Sequence, residues 1–343
     1  MSGAVFRSLR VVGSHSATLA LLGLMALVVA AGLAVGINIA DWIVLPVAGL
    51  FVNLVVGLVG QAALRAQPML FAFHAMLGIL ALLIGLDRLT SLNGHVEVVE
   101  GAMFDPALAV FEAGPLHPYA LDQVAFVQGG FEIRYLPGMK RRETVSLLRV
   151  PGPEGQWQEA RVGDDNPLIV GNYRFYTSFN KGFAPVITYT GAGGQSVTGA
   201  VHMPSYPLRD FDQGNEWTPP NWGGDWGPDR EPVKLWLSLP EPIYDANNAW
   251  TFRKPKNPVL VVIEGEARRE LLLGQGTALD GGGHIRFDEL RSWMGYTITA
   301  NLFNAWMMAV AITACLALAV HLWEKFRSRP AGSAAGTEAR HAE

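Results

Sequence analysis

One histidine, His74, stands within Met69–Leu86, an apolar segment that contains no charged residue. An ionisable side chain is costly in membrane hydrocarbon, so a function is expected of it there. Gly78, Ala81 and Gly85 follow it at four, seven and eleven residues, which places small side chains on the same face of a helix. The spacing therefore predicts an imidazole beside a groove.

Metal coordination is the chemistry that suits such an imidazole. A neutral imidazole nitrogen is a strong ligand for haem iron, and the groove beside His74 would admit a flat macrocycle. The alternative is a histidine that is hydrogen-bonded to a neighbouring helix. His321, one turn before Lys325, is a second candidate ligand, or it extends toward the interface. His15 is interpreted as a residue at the level of the lipid headgroups.

The rest of the sequence offers no other site. The single cysteine, Cys315, excludes an intramolecular disulfide, and no Cys-x-x-Cys-His is present, so any haem would be non-covalent haem b. No zinc or copper spacing, nucleophile elbow or phosphate loop occurs, and we expect no enzymatic activity and no metal other than haem iron. The net charge is −4 and no basic stripe is present, which argues against a nucleic-acid partner.

Four apolar segments are long enough to cross a bilayer as helices. A cleaved signal peptide is the alternative for the first, but its apolar run exceeds a normal signal. The predicted spans are Ala17–Ile39, Ile43–Leu64, Met69–Leu86 and Leu302–Trp323.

Basic residues flank the span ends that alternation places on one side, and the positive-inside rule makes that side cytoplasmic. Both termini are then inside, and His74 lies about 9 Å from the cytoplasmic edge at Pro68. The protein is expected in a bacterial inner membrane. The predicted parts are a cytoplasmic N-terminus at 1–16, three helices at 17–89, an extracytoplasmic domain at 90–300, a fourth helix at 301–324 and a disordered cytoplasmic tail at 325–343.

The outer region contains short runs with alternating or β-branched residues, separated by Gly, Pro, Asn or Asp. They predict an antiparallel sandwich or barrel-like sheet, and so an α+β membrane protein. The predicted strands are His95–Val99, Val124–Tyr135, Thr144–Val150, Tyr173–Phe179, Val186–Thr190, Val233–Leu239, Val259–Ile263 and Arg269–Leu273.

A segment rich in Gly, Pro and Trp, Asn215–Arg230, is predicted to be a long loop. Trp217, Trp222 and Trp226 would either form an aromatic platform for a ligand or partner, or hold the loop against the domain. The second interpretation is favoured, because buried aromatic rings serve packing more often than recognition.

The order of these parts resembles the ResB/CcsB family, one half of the System II machinery for cytochrome c biogenesis. The similarity begins at Ser14–Leu22 and is clearest in Phe73–Gly101, with Phe-His-Ala-Met-Leu-Gly and Asn-Gly-His-Val-Glu-Val-Val-Glu-Gly. Two further blocks are Phe-Glu-Ile-Arg-Tyr-Leu-Pro-Gly from Phe131 and Asp-Asn-Pro-Leu-Ile-Val-Gly-Asn-Tyr-Arg-Phe-Tyr-Thr-Ser-Phe from Asp165. The chain is shorter than many members, and it has Thr-Ala-Asn-Leu before the last span where Asp-Pro-Gly is usual.

The resemblance implies a haem-handling protein. In that family the third-span histidine is regarded as an axial haem ligand, completed by a histidine of a CcsA/ResC partner, and His74 occupies the matching place. The implied function is to pass or hold haem for attachment to an apocytochrome c. The implied partners are a CcsA/ResC-like membrane protein, apocytochrome c and the lipid bilayer. The resemblance does not extend to His321.

Two alternatives stay open. The first is a membrane-anchored structural accessory subunit that binds no haem, which a His74 buried against a helix carbonyl would favour. The second is a diheme electron carrier, which needs paired histidines at two depths. Only the inner-leaflet depth has candidates, so this alternative ranks last.

Overall fold

The structure is a computed structural model of the chain, and it describes residues 11–36, 42–153, 155–203, 214–217, 232–239 and 244–328. The chain divides into two compact units. The helical unit contains the apolar helices and the short segment Ala113–His117, whereas the β-rich unit comprises Leu92–Glu112 and Pro118–Ala300. The fold is therefore α+β.

The helical unit has five described helices. Three of them, α1, α4 and α5, are long and apolar enough to cross a membrane, with mean hydropathies of 2.5, 2.4 and 2.0. Helix α2 has 17 residues, a length of about 26 Å at 1.5 Å per residue. The helices are α1 (His15–Val35), α2 (Val44–Gly60), α3 (Ala62–Arg65), α4 (Pro68–Thr90) and α5 (Asn304–Arg327).

Several helices begin or end at residues other than those predicted for the spans, and some of these ends are set by capping residues. Helix α1 starts after Ser14, whose hydroxyl accepts from the Ala17 amide at 3.2 Å, and it ends at Gly36 in the left-handed region (φ 69°). The second span was predicted to continue to Leu64, but the backbone of Gln61 is extended and ends α2. The C-terminal helix reaches Arg327, beyond the predicted boundary at 324. Residues 1–10 and 329–343 lie outside the described part.

The segment after strand β2 is tied to the end of α4. The Gly114 amide donates to the Ser91 carbonyl at 2.9 Å, and the Leu116 amide donates to the Leu89 carbonyl at 2.8 Å. A Cβ at Gly114 would lie 2.3 Å from the Leu89 oxygen, so only glycine fits this close approach. This explains why Ala113–His117 belongs with the helices.

The β-rich unit contains three antiparallel sheets in the described residues. The largest follows the order β2-β1-β15-β7-β6, with β14 on β15 and β8 on β7, and the other two follow β13-β12-β10-β9 and β11-β3-β4-β5. The strands are β1 (Leu92–Val99), β2 (Val110–Ala113), β3 (Val127–Tyr135), β4 (Arg141–Pro151), β5 (Trp157–Gly163), β6 (Leu168–Val170), β7 (Tyr173–Thr190), β8 (Ser196–Ala200), β9 (Gly214–Trp217), β10 (Val233–Ser238), β11 (Trp250–Phe252), β12 (Val259–Glu264), β13 (Ala267–Leu271), β14 (Gly276–Ala278) and β15 (His284–Ala300).

An aromatic core lies between the largest sheet and the β3–β4 sheet. The Phe126 ring contacts Phe104 at 5.1 Å, Phe175 at 5.4 Å and Tyr296 at 5.8 Å between centroids, and all four side chains are buried. Aromatic groups of this size bury enough apolar surface to stabilise the unit without disulfides.

Two predicted strands are parts of one. Tyr173–Phe179 and Val186–Thr190 both belong to β7, which continues through Gly182 and Pro185 and pairs with β15 along most of its length. Pro185 is tolerated because it lies beside the bulge that β15 makes between Phe287 and Glu289.

The tryptophan-rich segment is not a loop from its first residue. Asn215–Trp217 lie in β9, paired with β10, so the predicted start of the loop at Asn215 is wrong. The regular pairing of backbone groups here outweighs the breakers that follow in the sequence. Trp217 contacts Tyr189 edge to face at 5.8 Å, as expected of a residue that holds its segment in place. Trp222 and Trp226 lie outside the described residues.

Candidate functional site

Helices α1, α2 and α4 enclose a cavity within the helical unit, and the short helix α3 adds Ala63 and Leu64 to its lining. Helix α2 packs against both α1 and α4, and α4 in turn packs against α5. The cavity, of about 620 Å³, opens between α1 and α4 with α2 as its floor, and its walls are mainly apolar. The lining residues that matter below are His15, Thr18, Asn53, Gln61, Gln67 and His74, set among Leu, Val, Met, Ala, Ile and Gly.

His74 lies in the α4 wall of this cavity. Its Nδ1 atom lies 2.8 Å from the carbonyl oxygen of Leu70, one turn earlier in the same helix. A carbonyl oxygen can only accept, so Nδ1 is the protonated nitrogen and donates. In a neutral imidazole the proton is then absent from Nε2, which keeps its lone pair. Within the described chain, Nε2 has no hydrogen-bond partner.

The hydrogen bond from His74 Nδ1 to the Leu70 carbonyl is of the kind that metal-binding histidines make with their second ring nitrogen. A second interaction at one ring nitrogen fixes the tautomer and the ring orientation, which leaves the other nitrogen to bind the metal. The Phe73 ring packs against His74 edge to face at 5.3 Å and further limits its rotation. The side chain is half-buried, so it is held in place but still accessible from the cavity.

The amides of α2 hold the first helix against the cavity floor. Asn53, 4% exposed, accepts from the Thr18 hydroxyl at 2.8 Å and donates to the carbonyls of Val12 and Ser14 at 2.5 and 3.2 Å. Gln61 donates to the Gly13 carbonyl at 3.0 Å. Both amides therefore serve helix packing, as expected for polar groups at a membrane helix interface.

The cavity fits a non-covalent haem on the evidence of its donors and walls. Its volume lies within the range of about 300–1,000 Å³ that is usual for cofactor sites. None of the described residues that line it is Asp, Glu, Lys or Arg, and the lone pair of His74 Nε2 is the kind of ligand that haem iron takes. The residues present are thus suited to an apolar, metal-bearing macrocycle.

The structure does not bring His321 to this cavity. His321 lies on α5, a helix that is described throughout and contributes no lining residue. Because His74 lines the cavity and α5 contributes no residue to it, His321 has no support as a second ligand beside His74. His321 remains half-buried near the end of its helix.

Sequence analysis missed His15 as a cavity residue. It is the first residue of α1, and its side chain lines the same cavity as His74. The signal was present in Ser14, whose type predicts the N-cap of a helix and therefore places His15 inside that helix rather than before it.

One histidine of the β-rich unit, His202, has structural partners. His202 Nδ1 lies 2.9 Å from Glu97 Oε2, and its ring stacks on Trp293 at 5.3 Å. In the helical unit, His117 Nδ1 lies 2.6 Å from the Thr90 carbonyl. Among the described residues no group of three His, Cys, Asp or Glu side chains is placed to hold a metal ion.

A second cavity, of about 400 Å³, lies in the β-rich unit beside Phe131 and Phe252. Burial raises the pKa of Glu100 at its edge, but hydrogen bonds from Lys254 and Ser292 outweigh that effect and hold it below its ordinary value. The carboxylate is thus an ion-pair partner, with both oxygens 2.8 Å from Lys254 Nζ. It stabilises the loop after β11 rather than offering a free acid.

The sequence was compared with models of known protein families and with curated proteins. No family model matches the chain. No curated protein matches it either.

Proposed function

We propose that this chain is a membrane-embedded cytochrome c biogenesis factor that holds haem b non-covalently through His74. With a CcsA/ResC-like partner, it would deliver that haem to apocytochrome c. The observation that carries the proposal is the state of His74 within an apolar cavity: Nδ1 is engaged by Leu70, and Nε2 retains its lone pair.

The proposed topology has four spans, with both termini cytoplasmic and the β-rich unit outside the inner membrane. The four-span topology depends on whether α2, which is only 17 residues long, crosses the bilayer. A length of about 26 Å is close to the bilayer core of about 30 Å. In support, α2 runs antiparallel to α1, because a Cβ at Gly49 would meet Leu21 while Gly13 lies against Gly57.

The residues of the chain would bind and orient the group without performing chemistry on it. Leu70 fixes the His74 tautomer, and the apolar walls of α1, α2 and α4 exclude water from the ligand. The haem itself supplies the vinyl groups through which a c-type cytochrome is later attached. No catalytic role is assigned to this chain.

The resemblance to the ResB/CcsB family adds support from the order of its blocks. The most similar block, Phe73–Gly101, includes α4 from Phe73 onward, with His74, and continues through β1. The block from Asp165 includes β6 and the start of β7. The proposal of a divergent, short member rests on these motifs and on the order of helices and strands.

A structural accessory subunit without haem is the second candidate. The observation that favours it is the same hydrogen bond, because a His74 that is satisfied by Leu70 needs no metal to be tolerated in the membrane. The two candidates differ in what they require of Nε2: haem binding needs its lone pair, whereas a packing role does not.

Restoration of cytochrome c maturation tests the function. A bacterial strain that lacks its own maturation system would receive this chain together with its CcsA-like partner, and covalent haem in a reporter cytochrome c would be measured after denaturing electrophoresis. We expect His74→Ala to lower holocytochrome at least about tenfold, because the axial ligand is lost. The matched control is Gly23→Ala, at a position where an added Cβ meets nothing within 4 Å.

Equal maturation by wild type and His74→Ala would contradict the proposed role of His74. Failure of the wild type to mature any cytochrome, although it is present in the membrane with its partner, would favour the accessory-subunit alternative.

A further inference from the structure

The cavity has histidines on two of its walls. His74 belongs to α4 and His15 to α1, and each helix packs against a side of α2. Helices α1 and α4 do not pack closely against each other, so the cavity lies between them. The two histidines therefore belong to different walls of the cavity.

Contacts with α2 set the depth of each histidine. On one side Gly13 lies level with Gly57, since its Cβ would be 3.0 Å from the Gly57 nitrogen, and Leu21 lies level with Gly49. In this antiparallel pair, each residue toward the C-terminus of α1 matches one toward the N-terminus of α2. His15 is accordingly level with position 55 of α2.

The same argument applies to α4. A Cβ at Gly78 would lie 3.9 Å from Leu54 Cβ, and α4 follows α2 through a short connection, so the two helices are also antiparallel. His74, four residues before Gly78, is then level with position 58 of α2. Positions 55 and 58 differ by about 4.5 Å, which is less than one helical turn.

The His15 side chain has no competing role in the described chain. It is exposed and has no hydrogen-bond partner among the described residues, whereas its neighbours Ser14 and Thr18 bond to the backbone and to Asn53. Its helix is nevertheless fixed, because Asn53 and Gln61 bind the carbonyls of residues 12–14 just before it. The imidazole is thus free to bind a ligand from a rigid support.

We propose that His15 is the second axial ligand of the haem that His74 holds, so that one chain supplies both nitrogens. This rests on the proposed function. It differs from the arrangement implied by the family resemblance, in which a histidine of the partner completes the coordination. The carrying observation is that two histidines from non-adjacent helices line one apolar cavity at nearly the same depth.

Spin state tests this inference. The full-length chain would be purified in detergent without its partner, reconstituted with haemin, and examined by absorption and electron paramagnetic resonance. We expect wild type to bind one haem with a low-spin, six-coordinate spectrum. His15→Ala should retain haem but become high-spin, and added imidazole should restore the low-spin spectrum. His74→Ala should lose most of its haem, and His321→Ala should match wild type.

The outcomes separate the two proposals. A His15→Ala protein that keeps the wild-type low-spin spectrum overturns the assignment of His15 and leaves the proposed function intact. If the chain binds haem only when the partner is present, the assignment of His15 is likewise overturned and the proposed function stays intact. If wild type takes up no haem with or without its partner, both proposals fail. His15→Met keeps the inference testable if the alanine variant does not fold, because thioether ligation would shift the low-spin bands.

Discussion

At the scale of single residues, Lys181 is the clearest case of a charge held where water is scarce. It is 7% exposed, and its Nζ donates to the Phe179 carbonyl at 3.0 Å. Burial is the main reason that the pKa of Lys181 is lowered to about 8; the charge of Arg141 acts in the same direction, and Asp164 opposes both. The ammonium form is thus disfavoured in the folded protein.

This pKa predicts how stability depends on pH. Between about pH 8 and 10.5 the unfolded chain binds a proton at Lys181 that the folded chain does not, so the free energy of unfolding rises with pH in that window. Below pH 8 both states are protonated and the destabilisation is complete. We expect Lys181→Met to stabilise the protein at pH 7, on the order of 1–3 kcal/mol, and to remove this slope.

Thermal unfolding of the detergent-solubilised protein at pH 7 and pH 9.5 would measure both effects. The exposed Lys256→Met is the matched control and should change neither value. An unaltered pH slope in Lys181→Met would show that another group titrates there.

Tyr296 closes a buried ring of hydrogen bonds between two sheets. Its hydroxyl donates to Gln128 Oε1 at 2.5 Å, the Gln128 amide donates to Ser146 Oγ at 3.0 Å, and Ser146 lies 2.6 Å from the Tyr296 oxygen. Burial raises the pKa of Tyr296, so the phenol stays neutral and able to donate.

We expect Tyr296→Phe to lower the free energy of unfolding by about 1–3 kcal/mol, because it removes the buried hydroxyl that bonds to both Gln128 Oε1 and Ser146 Oγ. A drop of several degrees in the unfolding temperature would report this loss. Tyr244→Phe is the control, since that ring is 43% exposed and its hydroxyl has no described partner. Equal effects in the two variants would contradict the argument.

At this scale, sequence reasoning singled out His74, whose role as a haem ligand stays a prediction, and it did not single out His15. A histidine in the middle of an apolar segment is conspicuous, and the structure places it on a cavity with small residues nearby. His15 lies at the end of such a segment, where polar residues are common, and only the packing of α1 on α2 shows which way it faces.

At the scale of elements, the helices were predictable and many strands were not. Apolar length alone locates α1, α4 and α5. Strand β15, of 17 residues, was missed because a bulge at Asp288 and Glu289 interrupts its alternation, and because Ser292–Tyr296 are buried on both faces. Burial of that kind comes from tertiary neighbours, which a local pattern does not contain.

The position of the α1 wall of the cavity depends on the contact between α1 and α2. Replacing Asn53 by Leu removes its three hydrogen bonds to α1 and the residues before it, and leaves the Val12 carbonyl without this donor. We expect a loss of about 0.6–2 kcal/mol, which is typical for polar contacts between membrane helices. Haem retention should fall with it, since α1 forms one wall of the cavity.

The unfolding temperature and the haem content of purified Asn53→Leu would measure these effects. Gly23→Ala on the same helix is the control, as it adds a methyl group where nothing lies within 4 Å. Wild-type values for both quantities in Asn53→Leu would show that the network does not hold the wall.

At the scale of the whole molecule, the proposed four-span topology makes a specific prediction. With Cys315→Ala as background, single cysteines would replace Ser2, Glu270 and Lys325 in turn. We expect a membrane-impermeant maleimide to label only the Glu270→Cys variant in intact cells, and all three after permeabilisation, because an even number of crossings places both termini on one side.

The labelling pattern depends on whether α2 crosses the bilayer. If α2 did not cross the bilayer, three spans would place Ser2 and Lys325 on opposite sides, and one of these two variants would be labelled in intact cells. Glu270 is a suitable reporter because its side chain is 59% exposed and its ion pair with Arg268 is a surface contact of little energetic weight.

The α+β class and the position of a β-rich unit between the third and last apolar segments followed from composition. A long, continuous run of hydrophobic residues is recognisable in the sequence alone. The three sheets are built from strands that are far apart in the sequence, and a local pattern does not specify how such strands pair. Likewise, His74 could be predicted to have a function, but the cavity depends on how three helices pack.

The most direct test of the central claim is the haem content of the purified full-length chain, compared between wild type and His74→Ala by absorption spectroscopy after reconstitution with haemin. We predict a Soret band near one haem per chain in wild type and its loss in His74→Ala, with His321→Ala unchanged. A Soret band of equal position and intensity in His74→Ala would contradict the claim.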